Sequence, residues 1–182
     1  MNSVYEYSHF GGSEILSIRF PAIKTEIVEV IFDVKLPVGR QFHFSENTDD
    51  TPIAAGLLND EFTTAFKKRG FQTLCETCSI TVPASDVAIG SAQVEVSAWK
   101  ERVLVDVQFG DYTAMFFSLA KFQMLCGEDR ADVGVVVLPC QRLQQKLSGK
   151  SACGERLIYD IRRLKPHFPA VPVKVILVDV DE

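Results

Sequence analysis

The feature that most constrains this chain is an apolar segment at residues 102–109, RVLVDVQF, whose valines and leucine predict a buried β-strand. Two polar side chains, Asp106 and Gln108, interrupt the segment. Because successive strand residues point to opposite faces, these two lie side by side on one face. Burying a carboxylate beside an amide costs free energy unless something binds them, and a divalent cation would do so. A solvated edge strand is the alternative interpretation.

A second strand precedes this segment and predicts a β-hairpin. Residues 91–98 alternate between polar and apolar side chains, and a turn at residues 99–101 leads into the segment 102–109. Glu95 and Ser97 lie on the polar face of the first strand. Two acids on adjacent strands, Glu95 and Asp106, together with the carbonyl of Val107, could supply oxygen ligands to Mg²⁺ beside a phosphodiester.

Length and composition favour one globular domain over residues 1–182, because 47% of the 182 residues are apolar and can form a substantial core. There is no apolar run of about 18 residues and no evident signal peptide, so we expect no membrane span and a cytoplasmic protein. The net charge of −5 argues against non-specific binding to nucleic acid. A specific binder with its basic residues on one face remains compatible.

The order of the predicted elements indicates an α/β fold with a mixed central sheet flanked by helices. Strands are predicted at residues 71–82, 91–98, 102–109, 132–138 and 173–180. Helices are predicted from residue 15, where Ser13 would cap the start, and at residues 22–34, 54–69, 112–125, 141–147 and 153–165. Residues 1–11 are predicted as an extended lead and residues 40–52 as a loop.

Two short motifs can be interpreted either as functional sites or as ordinary parts of the fold. Cys75 and Cys78 form a lone CxxC; zinc would require a second pair of ligands, which the three histidines do not supply, so the cysteines are interpreted as reduced thiols. Residues 148–151, SGKS, lack the frame of a nucleotide-binding phosphate loop. They could contact a DNA groove or simply connect two helices.

Three strings, in this order, resemble the BglII/BstYI family of type II restriction endonucleases: YSHFGGSEIL, LVDVQFGDYTAMFF and DVGVVVLP. The resemblance makes the strand pair Asp106 and Gln108 the second half of a PD-(D/E)xK nuclease motif, with glutamine where lysine is usual. It implies a restriction-endonuclease-like fold and Mg²⁺-dependent hydrolysis of double-stranded DNA at a short palindromic site with a GATC core, leaving 5′-phosphate ends. It also implies a homodimer and a cognate DNA methyltransferase as functional partner.

The resemblance also assigns roles to individual residues. Asp106 would be the acidic metal ligand, and Gln108 would position the attacking water. The residues facing the bases in the major groove would be Gly110, Asp111, Ser148, Gly149, Lys150 and Ser151.

This chain departs from the family pattern at two positions. Ser97 stands where the family has its first catalytic aspartate, and serine is a poor ligand for Mg²⁺. Glu95 lies two residues earlier on the same face and would replace that aspartate. The alternative is a homologue that binds DNA sequence-specifically but cuts weakly or not at all. Asp111 is the second departure, because a carboxylate there would accept hydrogen bonds from the amino groups of cytosine or adenine.

Overall fold

A computed structural model describes residues 1–35, 53–148 and 151–180 of the protein. Its strands are β1 (Asn2–His9), β2 (Ile53–Ala54), β3 (Gln72–Thr81), β4 (Ala88–Lys100), β5 (Val103–Val107), β6 (Val133–Pro139), β7 (Leu147–Ser148) and β8 (Val173–Asp179). Its helices are α1 (Gly12–Arg19), α2 (Pro21–Asp33), α3 (Ala55–Lys68), α4 (Tyr112–Gly127), α5 (Gln141–Lys146) and α6 (Gly154–Leu164). The loop predicted at residues 40–52 lies outside the described residues, and none of the described helices is long and apolar enough to cross a membrane.

The centre of the fold is a six-stranded sheet with the order β1-β8-β6-β5-β4-β3. Strands β5, β6 and β8 run parallel to one another, while β1 on one side and β4 and β3 on the other are antiparallel to their neighbours. Every residue of the three parallel strands is buried, as expected for strands covered by helices. The predicted mixed sheet flanked by helices is therefore confirmed.

The hairpin of β3 and β4 extends beyond the rest of the sheet. The two strands pair along most of their length, but β4 pairs with β5 only at Ala98, Trp99 and Lys100. Strand β4, the second strand of this hairpin, is longer than the strand predicted at residues 91–98. Ile80 of β3 and Ile89 of β4, near the tip of the hairpin, are 43% and 64% exposed.

The N-terminal segment corrects two predictions. The predicted extended lead is a full strand, because β1 pairs antiparallel with β8. Ser13 does not cap the first helix; Gly11 occupies the N-cap position with φ +76°, a left-handed conformation that glycine adopts without strain. The backbone N–H of Ser13 instead donates a hydrogen bond of 3.1 Å to Oγ of Ser8.

Helix α4 packs closely against strand β6 at Gly134. A Cβ atom added at Gly134 of β6 would come within 2.2 Å of the Phe122 ring, so only glycine permits this approach. Met115, Leu119 and Phe122 of the predicted apolar set are fully buried. Met124, predicted for the same set, is 45% exposed because it lies on the outer side of the helix.

We predict that His9 makes the stability of the fold depend on pH. Its side chain is fully buried, and Nε2 donates a 2.7 Å hydrogen bond to the Pro169 carbonyl, while Nδ1 has no described partner. Burial lowers the pKa of His9 below its ordinary value of 6.5, so below that pH the unfolded chain binds more protons than the folded one. The free energy of unfolding should therefore fall as the pH drops below 6.5, by at most about 1.4 kcal/mol per pH unit from this group.

Urea denaturation of wild type and a His9→Gln variant across this range would measure the effect. The variant should lose the histidine part of the slope, and His167→Gln, at an exposed position, serves as the matched control. An identical slope in wild type and His9→Gln would contradict the prediction.

Candidate active site

Asp106 is the buried charge around which the candidate site forms. It lies in β5, next to Val136 of the parallel strand β6, and its residue surface is 1% exposed. On the other side, the β4–β5 register places Ser97 one residue beyond the Ala98–Val105 pair, opposite Asp106. A carboxylate in this position must be compensated by hydrogen bonds or by an opposite charge.

One oxygen of the Asp106 carboxylate is bound by Ser97. Oδ1 accepts hydrogen bonds from the Ser97 backbone N–H at 3.2 Å and from the Ser97 hydroxyl at 2.8 Å. The same hydroxyl accepts a hydrogen bond of 3.2 Å from the backbone N–H of Val107. Ser97 thus links strands β4 and β5 and provides hydrogen-bond donors to one of the two carboxylate oxygens of Asp106.

The other oxygen of Asp106 contacts three donors. Oδ2 accepts from the Ser118 hydroxyl at 2.6 Å and from the Gln108 side-chain amide at 3.3 Å. It also forms an ion pair with the ammonium group of Lys121. The predicted adjacency of Asp106 and Gln108 on one face is therefore present. Helix α4 adds two partners that were not predicted, Ser118 and Lys121.

Lys121 is a buried lysine, 6% exposed, on the face of α4 that meets the sheet. Besides its ion pair with Asp106, its Nζ donates a hydrogen bond of 2.7 Å to the backbone carbonyl of Glu95. The ammonium group is therefore fixed by one carboxylate and one carbonyl from two neighbouring strands. Lysine is almost never fully buried without such partners.

A sequence signal for this lysine exists. Ser118 and Lys121 are three residues apart in an otherwise apolar helix, so they share a face with Leu119, Phe122 and the core. They interrupt the helix in the same way that Asp106 interrupts its strand. Two buried polar interruptions in elements that are consecutive along the chain indicate that they face each other.

Glu95 contributes a backbone atom to the described contacts of the site. It lies on the same face of β4 as Ser97, as expected, but it is exposed, and it contributes its backbone carbonyl rather than its carboxylate to the site. Pairing between β4 and β5 ends at Ala98, so the strands are no longer paired at Glu95. Val107 is buried in the ladder with Val137, and its backbone N–H is bound by Ser97.

Two of the segments predicted to face DNA are joined by a hydrogen bond in the part of the chain that the structure describes. The backbone N–H of Ala152, immediately after Ser151, donates a 3.0 Å hydrogen bond to the carbonyl of Gly110. Asp111 caps α4, because its Oδ1 accepts a 2.9 Å hydrogen bond from the N–H of Ala114. Ser148 is the last residue of β7, whereas Gly149 and Lys150 lie outside the described residues.

Two further contacts fix the segment that leaves β5. The Phe109 N–H donates a 3.2 Å hydrogen bond to the side chain of Asn59 on α3. The Tyr112 hydroxyl donates to the Asp160 carboxylate on α6, and the guanidinium of Arg156 lies 4.4 Å from the centre of the Tyr112 ring. Burial, reinforced by Asp160, raises the pKa of Tyr112 to about 12, so this hydroxyl remains a donor at neutral pH.

A family model described as restriction endonuclease BglII/BglIII matches residues 4–178. The chain belongs to this family. The prediction of a type II site-specific deoxyribonuclease, made from the BglII/BstYI resemblance, is confirmed at the level of the family. No curated protein matches the chain.

Two solved structures of BglII have the same fold as this member of the family. A crystal structure of BglII complexed with a DNA 16-mer gives a TM-score of 0.72 at 15% identity, covering 97% of this chain and 78% of that chain. Free BglII gives a TM-score of 0.60 at 14% identity, covering 97% and 79%. At this identity the likeness establishes the fold, and the chemistry must be argued from the residues.

The residues of this family member do not fit a magnesium ion as they are arranged. Asp106 is the only buried carboxylate that the described residues bring to the site, and its two oxygens, with about four lone-pair positions, meet five donor groups. Among the described residues, no group of three or more His, Cys, Asp or Glu side chains could hold a metal ion. The predicted ligand set of Asp106, Val107 and Glu95 stays a prediction: in the described arrangement the Asp106 oxygens are occupied by protein donors, and Glu95 is exposed.

We predict that Asp106→Asn strongly destabilises the protein even without metal or DNA. The substitution removes the partner of a buried ammonium group, which typically costs about 3–5 kcal/mol of unfolding free energy. Chemical denaturation would measure the loss. The matched control is Asp33→Asn, which breaks the ion pair between Arg69 and an Asp33 side chain that is 57% exposed, and should cost far less because solvent screens that pair. Equal losses in the two variants would contradict the prediction.

Proposed function

We propose that this chain is a restriction endonuclease that hydrolyses double-stranded DNA in a Mg²⁺-dependent reaction at a short palindromic site and leaves 5′-phosphate ends. The observation that carries the proposal is the pair Asp106 and Gln108 at the end of β5, within a chain that matches the family over residues 4–178. A GATC core in the recognition site is the finer expectation from the resemblance.

The chain's own groups have definite parts in this proposal. The Asp106 carboxylate is the negative group beside which the scissile phosphate would lie, and the half-buried Gln108 amide is the group that would orient the attacking water. Holding reactants in position of this kind contributes a large part of catalysis in phosphodiester cleavage. The chemistry that magnesium would supply, polarising a phosphoryl oxygen and acidifying a water, requires an arrangement of Asp106 other than the described one, in which protein donors occupy both of its oxygens.

DNA recognition is proposed for the segment at Gly110 and Asp111 and for the neighbouring loop. The loop residues are Ser148, Gly149, Lys150 and Ser151. Support comes from the hydrogen bond between Ala152 and Gly110, which holds the described end of the loop beside the segment after β5. Serine and lysine side chains can bind base edges or phosphates, and the Asp111 carboxylate can accept from the amino groups of cytosine or adenine.

A homodimer is part of the proposal, because a palindromic duplex has two-fold symmetry and is matched by a two-fold symmetric protein. We also propose that the protein acts in the cytoplasm, where a cognate DNA methyltransferase would protect the host's own sites. That methyltransferase is a functional partner and needs no physical contact with this chain.

A second candidate function is sequence-specific DNA binding with weak or absent cleavage. Two observations favour it: Ser97 in place of an acidic residue, and the Lys121 ion pair at the remaining carboxylate. This homologue would bind its site in Ca²⁺ or without metal, yet leave both strands intact in Mg²⁺.

The endonuclease proposal predicts discrete fragments from unmethylated plasmid DNA incubated with the purified protein and Mg²⁺. The fragments should religate without a kinase treatment, because their ends carry 5′-phosphates. Gln108→Met, which keeps the size of the side chain but removes its amide, should slow cleavage by roughly 100-fold, since misplacing a reacting group has an effect of this size. Specific binding of a palindromic duplex in a gel-shift experiment, with no fragments at any protein concentration, would establish the second candidate instead.

If Glu95 supplies the missing carboxylate during cleavage, Glu95→Ala should reduce the cleavage rate by roughly 100-fold while leaving the melting temperature unchanged, because the side chain is exposed. Gln93→Ala is the matched control, since Gln93 is exposed on the same face of the same strand two residues earlier. Cleavage that survives Glu95→Ala unchanged would remove Glu95 from the metal site.

A further inference from the structure

The ammonium group of Lys121 occupies the place at which a cation would bind the site. It forms an ion pair with Oδ2 of Asp106, and its other described partner, the Glu95 carbonyl at 2.7 Å, is the kind of oxygen that also binds divalent metals. Carboxylate and carbonyl oxygens are therefore already held by a positive charge that belongs to the protein.

The net charge of the site disfavours the binding of a divalent cation. Asp106 contributes one negative charge and Lys121 one positive charge, while the other side chains that bind the carboxylate, Ser97, Gln108 and Ser118, are neutral. The described site is thus neutral overall. A divalent cation approaching Asp106 would meet the ammonium group at the same oxygen and would be repelled by it.

Ser97 further weakens Mg²⁺ relative to Lys121 as a partner of Asp106. A carboxylate at position 97 would lie against Oδ1 of Asp106, where the serine hydroxyl is now 2.8 Å away, and would leave the site with a net negative charge beside Lys121. Serine instead donates to Asp106 and offers no charge to a metal. Magnesium demands near-ideal oxygen ligands and gives up its own waters reluctantly, so it is poorly placed to displace a buried ammonium.

We propose that Lys121 is an internal cation that takes the place of the metal at Asp106, so that the resting protein binds Mg²⁺ weakly and the ion binds Asp106 only when Lys121 is displaced. The inference rests on the proposed function only in treating Asp106 as the metal ligand. It is tested without DNA, so its failure is distinct from a failure to cleave.

The test is thermal unfolding of the full chain in increasing MgCl₂ at constant ionic strength. Wild type should show a melting temperature that Mg²⁺ barely changes. Lys121→Gln should melt on the order of 10 °C lower without metal, because Asp106 loses its counter-charge, and Mg²⁺ should restore much of that loss. The apparent dissociation constant for Mg²⁺ should be at least about tenfold lower in the variant than in wild type.

Lys100→Gln is the matched control. Lys100 has the same kind of partners as Lys121, with Nζ bound to the Glu26 carboxylate and, at 2.9 Å, to the Arg69 carbonyl, but it lies at the far end of β4. This variant should lose stability without any restoration by Mg²⁺. Restoration in both lysine variants would overturn the proposal, since the effect would then be general.

Ser97→Asp tests the same idea if Lys121→Gln does not fold. It keeps Lys121 and adds one carboxylate, so its melting temperature should rise with Mg²⁺ where that of wild type does not. The proposal is overturned if wild type binds Mg²⁺ as tightly as either variant and Asp106→Asn removes that binding. It is also overturned if Lys121→Gln abolishes cleavage while its response to Mg²⁺ stays that of wild type, because Lys121 would then be a catalytic group.

Discussion

The buried ion pair between Asp106 and Lys121 is the interaction on which the rest of the site depends. Each charge would be intolerable alone in the interior, where neither is more than a few per cent exposed. Together they connect a central strand to the helix that covers it, and the Glu95 carbonyl extends the connection to the neighbouring strand. Asp106 cannot move without breaking these contacts and its hydrogen bonds to Ser97 and Ser118.

The sequence predicts the parts of the site that follow from local geometry. Period-two alternation is sufficient to place Asp106 beside Gln108, and the hairpin turn places Ser97 opposite Asp106. The central strands β5, β6 and β8 follow from their continuous apolar runs. These features depend on residues that are close together in the sequence, so they can be predicted from one sequence alone.

What the sequence alone does not supply depends on packing between distant elements. The position of Lys121 follows from the depth at which α4 sits on the sheet, which no strand pattern encodes. Glu95 was expected at the metal because it shares a face with Ser97, but the pairing of β4 with β5 ends before it. Strand β1 pairs with β8, which lies more than 160 residues later in the sequence. Because the sequence does not show this distant partner, residues 1–11 were predicted only as an extended lead.

Gly134 controls how deeply helix α4 sits on the sheet. Its missing side chain sets the separation between α4 and β6, because Phe122 fills the space that a Cβ would need. Phe122 is the neighbour of Lys121, so the helix depth that glycine permits is also the depth at which the ammonium reaches Asp106. The placement of the ion pair therefore depends on Gly134, which has no side chain and no described contact with either charge. Replacing Asp106 or Lys121 would therefore alter the packing of α4 on the sheet as well as the charge of the site.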